Sequence, residues 1–122
     1  MDITPVIKES RQLITGYGAG GFKINGEFIL GSMLVFADCV MPVDIKDGII
    51  DLSHIQPVLA RSDVELLIIG TGKQIRPIEP VIRGALKAKS IACDVMDTGA
   101  ACRTYNVLLG EERRAAALVI SI

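Results

Sequence analysis

A thiol, two carboxylates and a cation lie close together in one stretch of this 122-residue chain, Asp94 to Arg103. Cys102 precedes Arg103 near a helix start, and both a positive helix end and a neighbouring cation lower a thiol pKa toward the nucleophilic thiolate. Thiolate attack also needs a general base in reach. The chain has one imidazole, His54, and no second motif residue lies near it in sequence. Cys102 therefore reads first as a small buried residue packing a helix on a sheet, and His54 as a capping or surface residue. Asp94 and Asp97 could pair at a strand end, but Asp97 fits more simply as a helix cap and Asp94 alone offers no partition into acid and base. No catalytic residue is assigned.

The same stretch suggests a different chemistry, anion binding. Asp97-Thr98-Gly99-Ala100 stands where an apolar run stops and a helical pattern begins, and Gly70-Thr71-Gly72 closes an earlier apolar run. Free amides and the dipole of a helix start favour anions, and in α/β sheets ligands bind beyond the carboxyl ends of parallel strands. If the two strands are neighbours, their loops meet. The candidate ligand-binding residues are then Thr71, Gly72, Thr98, Gly99, Ala100 and Arg103. The opposing reading is that these groups satisfy one another. Gly99 is expected to mark a close passage of backbone past backbone.

Gly16-Tyr17-Gly18-Ala19-Gly20-Gly21 matches the dinucleotide fingerprint G-x-G-x-x-G letter for letter. That fingerprint works where a strand hands over to a helix, whereas these glycines run into Phe22 to Phe28, which alternates around Asn25-Gly26, a strong hairpin signal. No cofactor is expected. Cys39, Cys93 and Cys102 are odd in number and widely spaced, which argues for reduced thiols and against a zinc site.

The elements that position these residues follow from periodicity. Residues 1–15 offer an edge strand, best at Arg11 to Thr15; the hairpin follows, then strands at Gly31–Phe36 and Met41–Val43, a turn over Asp44–Asp51, and helical turns at Ile55–Ala60. From Val64 the texture alternates. Glu65–Ile69 is a strand covered on both faces, and a helix follows with Pro80 at an early position and Ile78, Val81, Ile82, Ala85 and Leu86 inward. Ile91–Met96 is the next strand, and Ala100–Leu109 a helix with Ala101, Tyr105, Leu108 and Leu109 inward, ended by a left-handed Gly110. Ala115–Ile122 is apolar enough for the middle of a sheet. The chain thus reads as one α/β domain, β-rich over 1–63 and βαβαβ over 64–122.

Net charge of −1 and five scattered aromatic residues outside any basic cluster exclude a nucleic-acid binder. Met1 to Ser10 resembles neither a signal peptide nor a transit sequence, and no apolar run approaches the roughly 20 residues of a spanning helix. A cytoplasmic location is expected, with membrane association only through a partner.

Two motifs, Glu65-Leu66-Leu67-Ile68-Ile69-Gly70-Thr71-Gly72 and Met96 to Leu109, together with Gly20-Gly21-Phe22, Gly31-Ser32 and the apolar last strand, carry a resemblance over roughly residues 16–122. The chain resembles a small family of uncharacterised bacterial and archaeal α/β proteins whose eukaryotic member is the third assembly factor of mitochondrial respiratory complex I. The resemblance implies a three-layer β+α/β fold with a mixed central sheet and an N-terminal β layer carrying a hairpin. It also implies a non-enzymatic protein-binding role, with other proteins as partners and a respiratory-complex assembly intermediate among the candidates; a homo-oligomer is compatible. No catalytic residues carry over from it. The alternative is a small-anion or nucleotide-phosphate binder working through the strand-to-helix loops.

Overall fold

A computed structural model of the chain describes residues 11–122, so the first part of the expected 1–15 edge strand lies outside the described residues. The chain runs through β1 (Ile14–Gly18), β2 (Gly21–Ile24), β3 (Glu27–Leu30), β4 (Ser32–Val35), β5 (Val40–Val43), α1 (Leu52–Leu59), β6 (Leu66–Gly70), α2 (Pro80–Ala88), β7 (Ala92–Met96), α3 (Thr98–Gly110) and β8 (Ala115–Val119). β1, β2 and β3 form a meander. The other five strands form a mixed sheet in the order β5-β4-β8-β6-β7.

The glycine-rich stretch is a hairpin, in keeping with its sequence context. Gly16 and Gly18 belong to β1, Gly21 begins β2, and Ala19-Gly20 make the turn with positive φ at both residues. β1 begins at Ile14, three residues later than the expected Arg11 start, and its pairing with β2 shifts register between Ile14 and Gly16. Asn25 and Gly26 form the second turn, both left-handed, as a two-residue Asn-Gly hairpin demands. Gly21 has to lack a side chain: a Cβ there would press into the Ile29 carbonyl oxygen and stand 2.8 Å from the Phe28 ring.

β4 and β5 leave the N-terminal layer and join the central sheet. β4 pairs antiparallel with both β5 and β8, while β6 runs parallel to β7 and to β8, which makes the sheet mixed. β8 lies at the centre with all five residues buried, as its unbroken apolar run requires. Its alternation divides the core. Ala115, Ala117 and Val119 meet α3 and the meander, together with Met33, Val35, Ile68 and Tyr105; Ala116 and Leu118 meet the layer of α1 and α2, together with Leu34, Leu67, Ile69, Ile82 and Leu86. The layers are therefore α1 and α2, the five-stranded sheet, and α3 with the meander.

Crossover direction explains the helix placement. β6 to β7 steps one way along the sheet and β7 to β8 steps back past β6, so crossovers of one hand put α2 and α3 on opposite faces. Three helix details differ from expectation. Val81 is 54% exposed, so the inward stripe of α2 is carried by Ile82 and Leu86. Ser90 adopts positive φ after α2 and β7 begins at Ala92, one residue later than the expected Ile91, and the left-handed residue after α3 is Glu112, with Gly110 still helical. His54 does act as a cap: Asp51 accepts from the amide of Ser53, and the His54 Nδ1 accepts the Asp51 amide at 2.9 Å.

Candidate functional site

β6 and β7 are adjacent and parallel, and their following helices depart to opposite faces. That is a topological switch point, where open α/β sheets hold ligands beyond the strand ends. The loops Gly70-Thr71-Gly72 and Asp97-Thr98-Gly99 do meet there. Asp97 caps α3 by accepting the Ala100 amide at 2.9 Å, and Thr98 opens the helix.

The crevice is filled by Thr98, which is fully buried. Its hydroxyl donates to the Ile120 carbonyl at 2.7 Å and accepts the Gly72 amide at 2.9 Å, while its own amide donates to the Gly72 carbonyl at 2.8 Å. One side chain thereby ties the ends of β6, β7 and β8. Thr71 is turned inward too: its amide donates to Met96 O at 2.9 Å, and its hydroxyl donates to Gln74 O and accepts the Arg76 amide, both at 2.9 Å. The polar groups of Thr71, Gly72 and Thr98 are thus spent on one another and on neighbouring strands. Asp97 occupies the Ala100 amide.

Gly99 and Arg103 form the outer part of the corner. An added Cβ on Gly99 would stand 2.6 Å from the Tyr17 hydroxyl, so the crowding partner is a side chain of the meander and not the backbone passage expected. That passage occurs at Gly70, whose Cβ would stand 2.9 Å from the Thr98 Cα. Arg103 reaches across to donate to the Tyr17 hydroxyl at 3.2 Å, and among the described residues no carboxylate pairs with it. A cavity of about 290 Å³ adjoins Thr71, but Asp47 and Glu79 line it beside Arg76, so it presents no single sign of charge.

Cys102 lies on the inner face of α3 at 2% exposure, and burial pushes its thiol up to about 12 despite the opposing charge of Arg103. Cys102 packs with Tyr105 and Ala117 in the core beneath α3, as its expected packing role requires. Asp94 and Asp97 are not brought together as a pair: Asp97 caps the helix, and Asp94 is on the exposed part of β7. His54 is held by Asp51 and by the Asp44 carbonyl at 2.9 Å, with no cysteine or other candidate residue among its bonded partners. Sequence reasoning missed Tyr17 and Asn106. Asn106 exchanges both hydrogen bonds with Ile14, at 3.0 and 2.7 Å, and so pairs with the outer edge of β1 as a strand would. Its signal was a poor helix former placed mid-helix beside an apolar stripe.

The family described as Protein of unknown function (DUF498/DUF598) matches over residues 14–120. The chain belongs to this family. An uncharacterised protein of Rhodobacter capsulatus is 35% identical over 107 residues, covering 88% of this chain and 82% of that protein. The NADH dehydrogenase (ubiquinone) 1 alpha subcomplex assembly factor 3 of Xenopus tropicalis is 31% identical over 110 residues, covering 88% of this chain and 60% of that protein. The chain thus spans about three fifths of the length of that assembly factor. The crystal structure of an outer membrane protein from Bartonella henselae is similar at a TM-score of 0.87 and 37% identity, over 92% of this chain and 96% of that one. A Mth938-like domain of Bordetella pertussis, at 23% identity and a TM-score of 0.82 over 98% and 92% of the two chains, shares the fold. Family and fold agree with the resemblance in sequence. Among the described residues no helix is long and apolar enough to cross a membrane.

Proposed function

We propose that the chain is a protein-binding module that docks on other chains during assembly of a larger complex, in the manner the names of its assembly-factor relatives describe. The observation that carries this reading is Thr98: the crevice where an α/β sheet would hold a small molecule is occupied by a side chain of the fold itself. Similarity to assembly factor 3 across 88% of the chain supports the choice of partner class, a respiratory-complex intermediate. Tagged protein recovered from its native cells should bring down a stoichiometric partner over an interface of about 1,200–2,000 Å². Recovery of the chain alone, with turnover of a small molecule that disappears in Cys102→Ala, would overturn it.

The second reading is an anion site at the outer corner, where Gly99 and Arg103 are the two of the six expected residues Thr71, Gly72, Thr98, Gly99, Ala100 and Arg103 whose groups are not taken up by the strand-end and capping bonds described above. It is favoured by the guanidinium of Arg103, which lies beside Gly99 with no carboxylate partner among the described residues. Titration with inorganic phosphate should then move the Gly99 and Ala100 amide resonances saturably, and less in Arg103→Ala. Amides that stay still to high millimolar phosphate would end this reading.

A further inference from the structure

Among the described residues the central sheet ends at β7, whose outer side no strand covers. The Ala92 amide donates to Glu65 O and the Thr71 amide to Met96 O, both at 2.9 Å, so residues 92, 94 and 96 direct their backbone groups toward β6. By alternation Cys93 and Val95 direct theirs outward, where no partner is found among the described residues. The opposite edge strand, β5, contains Pro42, which lacks a donor; β7 contains no proline. β3 also ends a sheet, but it opens with the acidic Glu27.

Beside the β7 edge runs a cleft of about 430 Å³ lined by Arg83, Lys87, Ser90, Ile91, Ala92 and Cys93. Arg83 and Lys87 are exposed one turn apart on α2, no carboxylate pairs with either among the described residues, and the charge of Arg83 reaches the Cys93 thiol. Four residues of helix rise about 6 Å, and alternate residues of a strand lie about 6.6 Å apart, so two cations at this spacing match carboxylates at positions i and i+2 of an adjoining strand. We propose that the β7 edge takes up an extended acidic segment of a partner protein as an added strand, its backbone bonded to Cys93 and Val95 and its alternate carboxylates facing Arg83 and Lys87. This rests on the reading of the chain as a protein-binding module and names its surface. A second copy fits less well. Cys93 and Val95 pack on the α2 side and Met96 on the α3 side, so the one carboxylate of β7, Asp94, projects with Met96 away from the two cations.

The test titrates a synthetic peptide of alternating glutamate and valine, and its lysine counterpart, into the isotope-labelled full chain. The acidic peptide should shift the Cys93 and Val95 amides saturably and slow their hydrogen exchange. Its Kd should weaken about tenfold in Arg83→Glu/Lys87→Glu, less in the glutamine double variant, and again on raising salt from about 20 to 200 mM, while the lysine peptide stays unbound. Equal binding of both peptides, shifts away from β7, unchanged affinity in the charge-reversed variant, or self-association through β7 would overturn it. A partner recovered from native cells that binds the charge-reversed variant as well as the parent leaves the module reading standing and overturns the edge. Peptide binding as expected with no cellular partner overturns the module reading alone.

Discussion

Replacing Gly70 by alanine tests how closely α3 approaches the sheet. The new Cβ would stand 2.9 Å from the Thr98 Cα, 2.9 Å from the Ala101 Cβ and 3.2 Å from the Thr98 Oγ1. Comfortable contacts between carbons lie at about 3.5–4.0 Å, so the start of α3 must move outward by roughly 0.6–1 Å. Neither the Thr98 Cα nor the Ala101 Cβ can rotate aside. Gly70 is not among the residues with positive φ, so backbone strain does not enter. Overpacking costs about 1–3 kcal/mol, and the shift lengthens the Thr98 bonds to Gly72 and Ile120, each worth about 1 kcal/mol. The expected loss is about 2–4 kcal/mol. Unfolding entropy of about 2.1 cal/mol/K per residue converts that to a fall in Tm of roughly 8–15 °C for a chain of 122 residues. Gly99→Ala is the control. Its Cβ would meet the Tyr17 hydroxyl at 2.6 Å, but Tyr17 is 43% exposed and can swing aside, and alanine gains about 1 kcal/mol of helix propensity over glycine. Gly99→Ala should change stability by less than about 1 kcal/mol. Urea and thermal unfolding of both variants decide the matter, and Gly70→Ala within about 1 kcal/mol of the parent would refute the close approach.

Thr98→Val keeps the shape but strands the Ile120 carbonyl and the Gly72 amide, and should cost about 2–4 kcal/mol in urea unfolding; Thr98→Ser keeps both bonds and should cost about 1. Cys102 in the native chain should resist alkylation at neutral pH, and the half-buried Cys93 should label before it; because folding raises the Cys102 pKa, the associated stability is complete at neutral pH and is lost as pH climbs from the ordinary thiol value toward about 12. Arg61 stacks on Phe36 at 4.2 Å and bonds Asp38 at 3.0 Å and Asp63 at 2.7 and 2.8 Å, which holds both carboxyls below their usual range. Their contribution is present above the unfolded carboxyl value of about 3.9 and fades as pH falls below it, so Arg61→Gln should flatten the acid limb of a stability profile, and an unchanged limb would count against the triad.

The parts of the fold legible in sequence are those set by short-range periodicity. β8 announced its central place because nothing polar interrupts Ala115–Val119, and Asn25-Gly26 signalled a hairpin because these residue types accept two left-handed positions in a row at least cost. What was not legible depends on which strands become neighbours. The placement of β4 and β5 beside β8 is a long-range pairing with no local signature, and so is the encounter of Tyr17 with Gly99, 82 positions apart in the chain. Val81 shows a different limit: its spacing suits the inner stripe, but the face of α2 that meets the sheet is narrower than the pattern. For the candidate corner, sequence supplied the loops and the cap; whether Thr98 points out to a ligand or in toward the strand ends depends on how closely the start of α3 approaches Gly70.

Thr98 decides what this arrangement is suited to. A phosphate-holding loop needs amides that face outward and a backbone that can approach a ligand, which is why glycines cluster there. Here the glycines serve the opposite end. Gly70 lets the Thr98 Cα come close enough for its hydroxyl to lie between the Gly72 amide and the Ile120 carbonyl, so the free space at the switch point is exchanged for a three-strand clasp. A clasp of this kind ties β6, β7 and β8 together at their carboxyl ends. An edge held rigid by its own sheet loses little conformational entropy when another strand adds to it, and that is a property of use to a docking surface and of none to a catalytic loop.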